Sequence, residues 1–122
     1  DVVSFHVPLT DETHHYLDDA FIAAMSKPFY LVNTSRGAVV DTEALVRGLE
    51  AGKVLGAALD VLEYEDMQAD GLATGVTPPA LEYLKSSPLT VLTPHVAGWT
   101  AQSKYKLAAV LADKMIETLT QC

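Results

Sequence analysis

Several absences narrow what this sequence can be. It holds one cysteine, Cys122, in 122 residues. An internal disulfide is therefore excluded, which suits a reducing compartment and gives the expectation of a cytoplasmic protein. No apolar run approaches the roughly 20 residues that span a bilayer, and the chain opens on Asp1 inside an apolar stretch with no targeting segment in view. No membrane partner is expected. Basic residues are scarce, 8 against 16 acidic ones, for a net charge of −8. Phosphate recognition needs clustered Lys and Arg, so no nucleic-acid partner is expected either. There is no internal repeat, no low-complexity tract and no Ser, His and Asp set with a nucleophile-elbow motif. His14, His15 and the helix-borne carboxylates lack metal-ligand spacing and read as surface; no metal site is expected.

What is present is the composition of a soluble globular chain, 49% apolar and 20% charged, long enough for one domain with a core. The opening "DVVSFHVP" reads as a strand already under way, so the chain is expected to be part of something longer. Val2 to Val7 form the first strand, closed by Pro8, which cannot continue a ladder. "DDAFIAAM" follows as a helix, with Asp18 or Asp19 as N-cap and Phe21, Ile22 and Met25 at helical spacing. Phe29 to Asn33 form the second strand. Asp41 caps a helix with Leu45, Val46 and Leu49 on one face, and Gly52 ends it. Val54 to Val61 form a third strand, continuously apolar as where both faces are covered. The section from Asp66 to Ser87 reads as an exposed insertion with a short helix through Ala80 to Lys85. "LTVLTP" is the fourth strand, and from Thr100 one long helix repeats Leu107, Leu111, Met115 and Leu119. Strands alternating with helices predict an α/β fold: a parallel sheet of about four strands, partly Rossmann-like, with helices on both faces.

In open parallel sheets ligands bind beyond the carboxyl ends of the strands. His6, Val7 and Pro8 follow the first strand. Asn33, Thr34, Ser35 and Arg36 follow the second, Asp60 and then Glu65 the third, and Pro94, His95 and Gly98 the fourth. Each has a plain reading: Arg36 as a solvated turn residue, Asp60 as a turn cap, His95 as a hydrogen-bonded strand end, Glu65 as part of a wet acidic patch from Glu63 to Asp66. The topology, however, sends all of them to one edge. A buried Arg can grip a carboxylate and polarise a neighbouring carbonyl. A His passes a proton near neutral pH, and a Glu beside it favours the imidazolium. Such a set suits hydride transfer on a 2-keto or 2-hydroxy acid.

Three motifs, "HVPLTDET", "LVNTSRGAVVDTEALVRGLEAGKVLGAALDVLEYE" and "LTVLTPHVAG", resemble in order and spacing the NAD-dependent D-isomer-specific 2-hydroxyacid dehydrogenases. The resemblance covers nearly the whole chain apart from the Asp66 to Ser87 section. It implies that Arg36 binds substrate, that His95 is the acid/base and that Glu65 is its carboxylate partner. It implies that Asp60 contacts the nicotinamide end of the cofactor and that Val7, Thr34, Ser35, Arg36, His95, Ala97 and Gly98 line the NAD site. The partner it implies is a small 2-hydroxy or 2-keto acid, and the cofactor is NAD, with NADP allowed.

The departures set the limits. The family's G-x-G-x-x-G turn, which cradles the pyrophosphate, occurs nowhere in the chain, and neither the ribose-binding acidic residue nor the substrate domain is here. Residues 1–122 are thus expected to be the C-terminal part of a dinucleotide-binding domain, inactive alone, with an unprotected edge on the first strand that favours a homo-oligomer. Asp66 stands where the family commonly has Pro. Trp99 is expected to stack on the last helix or to shape the substrate pocket. Two other readings stay open: an NAD-sensing scaffold or protein-binding module of the same fold, and a related NAD enzyme such as an S-adenosylhomocysteine hydrolase or alanine dehydrogenase.

Overall fold

The computed structural model describes residues 1–64 and 77–120. Four parallel strands form one sheet in sequential order: β1 (Val2–Phe5), β2 (Phe29–Asn33), β3 (Val54–Leu59) and β4 (Thr90–Leu92). The connections carry α1 (Asp19–Ala24), α2 (Thr42–Glu50) and α3 (Pro79–Ser86), and α4 (Ala101–Thr120) follows β4. Strands β1, β3 and β4 end earlier than their apolar runs suggest. Their last residues leave the ladder for the turns that carry the polar groups.

The helix boundaries follow local chemistry. The Asp18 side chain accepts from Phe21 N–H and the Asp41 side chain from Ala44 N–H, each filling an orphan donor of a first turn. Gly52 ends α2 at φ 69°, a conformation that costs glycine nothing. Pro79 opens α3 at a position where its missing N–H is not needed.

The core lies between the sheet and α1, α2 and α3. Phe29 and Leu31 of β2 and Ala57 and Leu59 of β3 pack with Ile22, Leu45, Leu49 and Leu84. Crossovers between successive neighbouring parallel strands share one hand and so return over the same face of the sheet. That places α1, α2 and α3 together, and the opposite face, expected from the sequence to be covered, is bare among the described residues. Val2, Tyr30, Leu55 and Val91 project there, 40% to 66% exposed. Among the described residues the apolar run of β3 is thus packed by helices on one face. Strand β1 lies at a sheet edge, as expected.

Helix α4 stands apart from this core. Leu107, Leu111, Met115 and Leu119, the four-residue repeat of the sequence, are all more than half exposed. No helix among the described residues is long and apolar enough to cross a membrane.

Candidate functional site at the carboxyl edge of the sheet

The turn after β2 is organised by Asn33, which is buried. Its Oδ1 accepts from the Ser35 N–H (3.1 Å) and the Ser35 hydroxyl (2.9 Å), and its Nδ2 donates to the Arg36 carbonyl (2.9 Å). The side chain thus closes the turn around itself and fixes the backbone from which Arg36 projects. Gly37 follows in a position only glycine fits. A Cβ there would lie 2.0 Å from the Leu62 carbonyl group and 2.4 Å from the Glu63 nitrogen. The Arg36 turn and the turn after β3 are therefore in backbone contact.

The turn after β4 is organised by Asp60, also buried. Its carboxylate accepts from the Thr93 hydroxyl, from Val96 N–H at 2.9 Å and from Ala97 N–H at 2.8 Å. Burial by itself pushes the Asp60 carboxyl up. The hydrogen bonds from Thr93, Ala97 and Val96, with the nearby His95, outweigh burial and hold it below its ordinary 3.8. His95 sits in this turn with φ 55°, in the left-handed region that histidine enters more readily than most side chains. Its N–H donates to the carbonyls of Asp60 (2.9 Å) and Thr93 (3.0 Å).

One further bond joins the two turns: Asp60 N–H donates to the Asn33 carbonyl at 2.9 Å. A continuous path then runs from Arg36 through Asn33 and Asp60 to His95. Beside it a cavity of about 230 Å³ opens on the bare face of the sheet, walled by Val32, Ala58 and Val91 and rimmed by Thr34, Asp60 and Ala97. This volume takes one flat ring rather than a whole dinucleotide. Among the described residues three donors reach the Asp60 carboxylate, which has about four lone-pair positions.

The residues expected at the site fall into groups. Thr34, Asp60 and Ala97 meet at the cavity. Arg36 and His95 are exposed on the same edge, and the Arg36 guanidinium donates to the Ser35 carbonyl (2.7 Å). The Arg36 side chain is exposed because nothing among the described residues covers this edge. Ser35 is buried, with its hydroxyl and its N–H both donating to Asn33 and its carbonyl accepting from Arg36. Val7 and Gly98 are exposed and do not line the cavity. Glu65 and the first half of the Asp66 to Ser87 section lie outside the described residues. The part described holds α3, whose Leu81 and Leu84 are buried. Trp99 is 71% exposed, and the ammonium of Lys104 on α4 lies 5.6 Å from the centre of its ring.

Three residues acquire roles the sequence did not announce. Asn33 is one. The other two are His15 and Glu63, read as surface and as part of a wet patch. Glu63 Oε2 accepts from the N–H (3.0 Å) and hydroxyl (2.7 Å) of Thr42 at the start of α2, and His15 Nε2 donates to Glu63 Oε1 at 2.6 Å. A carboxylate placed at a helix N-terminus is favoured by the helix dipole. The signal in the sequence was only that Glu63 follows the β3 turn and that α2 opens on an Asp-Thr-Glu run.

Fold and site together define a dinucleotide-binding type of α/β layer, with polar turns gathered at the carboxyl ends of a parallel sheet. The sequence profile of the NAD binding domain of the D-isomer specific 2-hydroxyacid dehydrogenases matches residues 1–97. The chain belongs to this family. It is 42% identical to a glyoxylate reductase of Thermofilum pendens, over 98% of this chain and 32% of that protein. Among solved structures, D-lactate dehydrogenase of Aquifex aeolicus, complexed with NAD and lactic acid, is 34% identical with a TM-score of 0.75, over 99% of this chain and 37% of that one. A D-2-hydroxyisocaproate dehydrogenase superposes with a TM-score of 0.85 at 29% identity, again over 99% and 37% of the two chains. The chain spans about a third of the length of the relatives it matches.

Proposed function

We propose that these residues are the second half of an NAD-binding domain, and that the polypeptide carrying them moves a hydride between NAD(H) and the C2 of a D-2-hydroxy acid or its 2-keto acid. The carrying observation is the bonded path from Arg36 through Asn33 and Asp60 to His95, beside a cavity of ring size. The residues present fit the nicotinamide end of the cofactor: apolar walls for a flat ring and the Asp60 carboxylate at the rim as an acceptor for an amide N–H. The bound cofactor supplies the hydride that C2 receives, or takes it in the reverse direction.

The chain's own groups do the rest. Arg36 presents a planar fork of N–H donors to the substrate carboxylate and keto oxygen, orienting C2 and drawing charge toward that oxygen. As C2 receives the hydride, His95 gives a proton to the same oxygen, so the ketone becomes a hydroxyl; in reverse His95 takes that proton. By the family resemblance Glu65 stabilises the protonated His95.

The test is expression of the polypeptide that contains this chain together with its flanking sequence, assayed for NADH oxidation with a panel of 2-keto acids. Turnover is expected, with His95→Gln losing on the order of 10²-fold or more. A polypeptide that binds NADH yet turns over none of the panel would overturn the proposal.

A further inference from the structure

Arg36 must do two things that oppose each other. Its guanidinium has to reach into the crevice, yet it sits in an exposed turn at the end of a strand. Long side chains on exposed turns lose much rotamer freedom when they bind, and that loss weakens the grip. A turn held rigid reduces the part of the loss that falls on the backbone.

We propose that Asn33 is a positioning residue for Arg36, tuning the grip on the substrate carboxylate without touching substrate or cofactor. This rests on the assignment of Arg36 made above. The observations are specific to this side chain. Asn33 is 1% exposed, the most buried polar group at the carboxyl edge. Both ends of its carboxamide are used, and both bond within the three residues that follow it. None of these bonds reaches a side chain of the apolar core. What the carboxamide adds is directional: it sets the Arg36 carbonyl, and so the Cα of Arg36, relative to β2. Through its own carbonyl Asn33 also accepts from Asp60 N–H, and Asp60 carries the His95 turn. Asn33 therefore stands where the substrate-gripping turn and the proton-transfer turn share one anchor.

Asn33→Asp is the discriminating variant. It keeps the shape and the acceptor toward Ser35, but it replaces the donor facing the Arg36 carbonyl with an oxygen. At neutral pH two acceptors then oppose each other. At low pH the introduced carboxyl gains a proton and can donate to the Arg36 carbonyl again, restoring the original pattern. The measurement is made on the flank-containing polypeptide, with NADH affinity by fluorescence and oxamate affinity in the NADH complex. Oxamate carries the carboxylate of a 2-keto acid but is not reduced.

The expected result is a rise of about tenfold in the oxamate Kd and in the keto-acid KM, with NADH affinity changed by less than about twofold. The ratio to wild type should narrow as pH is lowered, which a packing defect would not do. Should Asn33→Asp not fold, Ser35→Ala removes one of the three bonds. It should weaken oxamate in the same direction and by a larger factor than it weakens NADH. Unchanged oxamate affinity in the variant that folds overturns the proposal. So does an equal loss of oxamate and NADH affinity with a lowered melting temperature, since that is a structural role only. Arg36→Lys separates the two levels. If it weakens oxamate while Asn33→Asp and Ser35→Ala do not, the positioning role alone fails. If Arg36→Lys also leaves oxamate binding intact, the assignment of Arg36 fails and takes the positioning role with it.

Discussion

The N–H of Asp60 donates to the carbonyl of Asn33 at 2.9 Å, joining the end of β3 to the end of β2 beyond the last register pair, Asn33 with Leu59. Each of the two residues then spends its side chain on a different turn, Asn33 on that of Arg36 and Asp60 on that of His95. Two strand ends thereby become one mount for two chemical groups.

Asp60 makes the His95 turn sensitive to acid. Its folded pKa is depressed, so the stabilisation is present above the unfolded carboxylate value and is lost as pH falls through the folded one. Trp99, the sole tryptophan, lies just past this turn. Its fluorescence should change at a pH below 3.8, and Asp60→Asn should abolish that transition. Asp60→Asn should also lower stability at neutral pH by about 1–3 kcal/mol, because an amide N–H₂ would face the Ala97 or Val96 donors. A variant with wild-type stability and an unchanged acid transition would contradict the assignment.

Gly37 should not tolerate a side chain. Gly37→Ala forces the Leu62–Glu63 backbone away from the Arg36 turn, a core-like overpacking that costs on the order of 1–3 kcal/mol. The expected readout is a lower urea midpoint at unchanged slope. An unchanged midpoint would show that the close approach carries no energetic weight.

Glu63 should matter more than an acidic patch does. Glu63→Gln keeps the size but removes the charge that caps α2 and pairs with His15, at an expected cost of about 1–2 kcal/mol. Glu43→Gln on the exposed face of α2, where the contact to Arg47 spans 3.8 Å, should stay within about 0.5 kcal/mol. Chemical denaturation of the pair gives the comparison. Equal effects would return Glu63 to the solvated surface.

The 122 residues by themselves should bind NAD very weakly and turn over nothing, because the pyrophosphate cradle is not among them. Calorimetry with NAD and an absorbance assay with NADH and keto acids test this. Turnover at a rate typical of an intact enzyme would refute it. The open edge of β1, the bare sheet face and the exposed stripe of α4 should make the isolated chain self-associate. Light scattering over a wide concentration range is the check, and a clean monomer throughout would count against it.

The sequence by itself determined the order of elements, the parallel sheet and the edge on which the polar residues gather. These follow from short-range rules. Apolar periods mark strands and helices, Asp18 and Asp41 cap, Gly52 terminates, and strands separated by helices pair in parallel. The three motifs also carried the family. Only the tertiary structure decided the rest, because it depends on residues far apart in the chain. Asn33 gains its place from three bonds in its own turn and one from Asp60. Glu63, read as a wet patch, is recruited because the β3 turn passes over the start of α2. Among the described residues the β3 run is packed on one face, and hydrophobicity records only what a strand can bury. Which faces are covered is set by the handedness of the crossovers, and that lies in the path of the chain, not in the residues of any one strand.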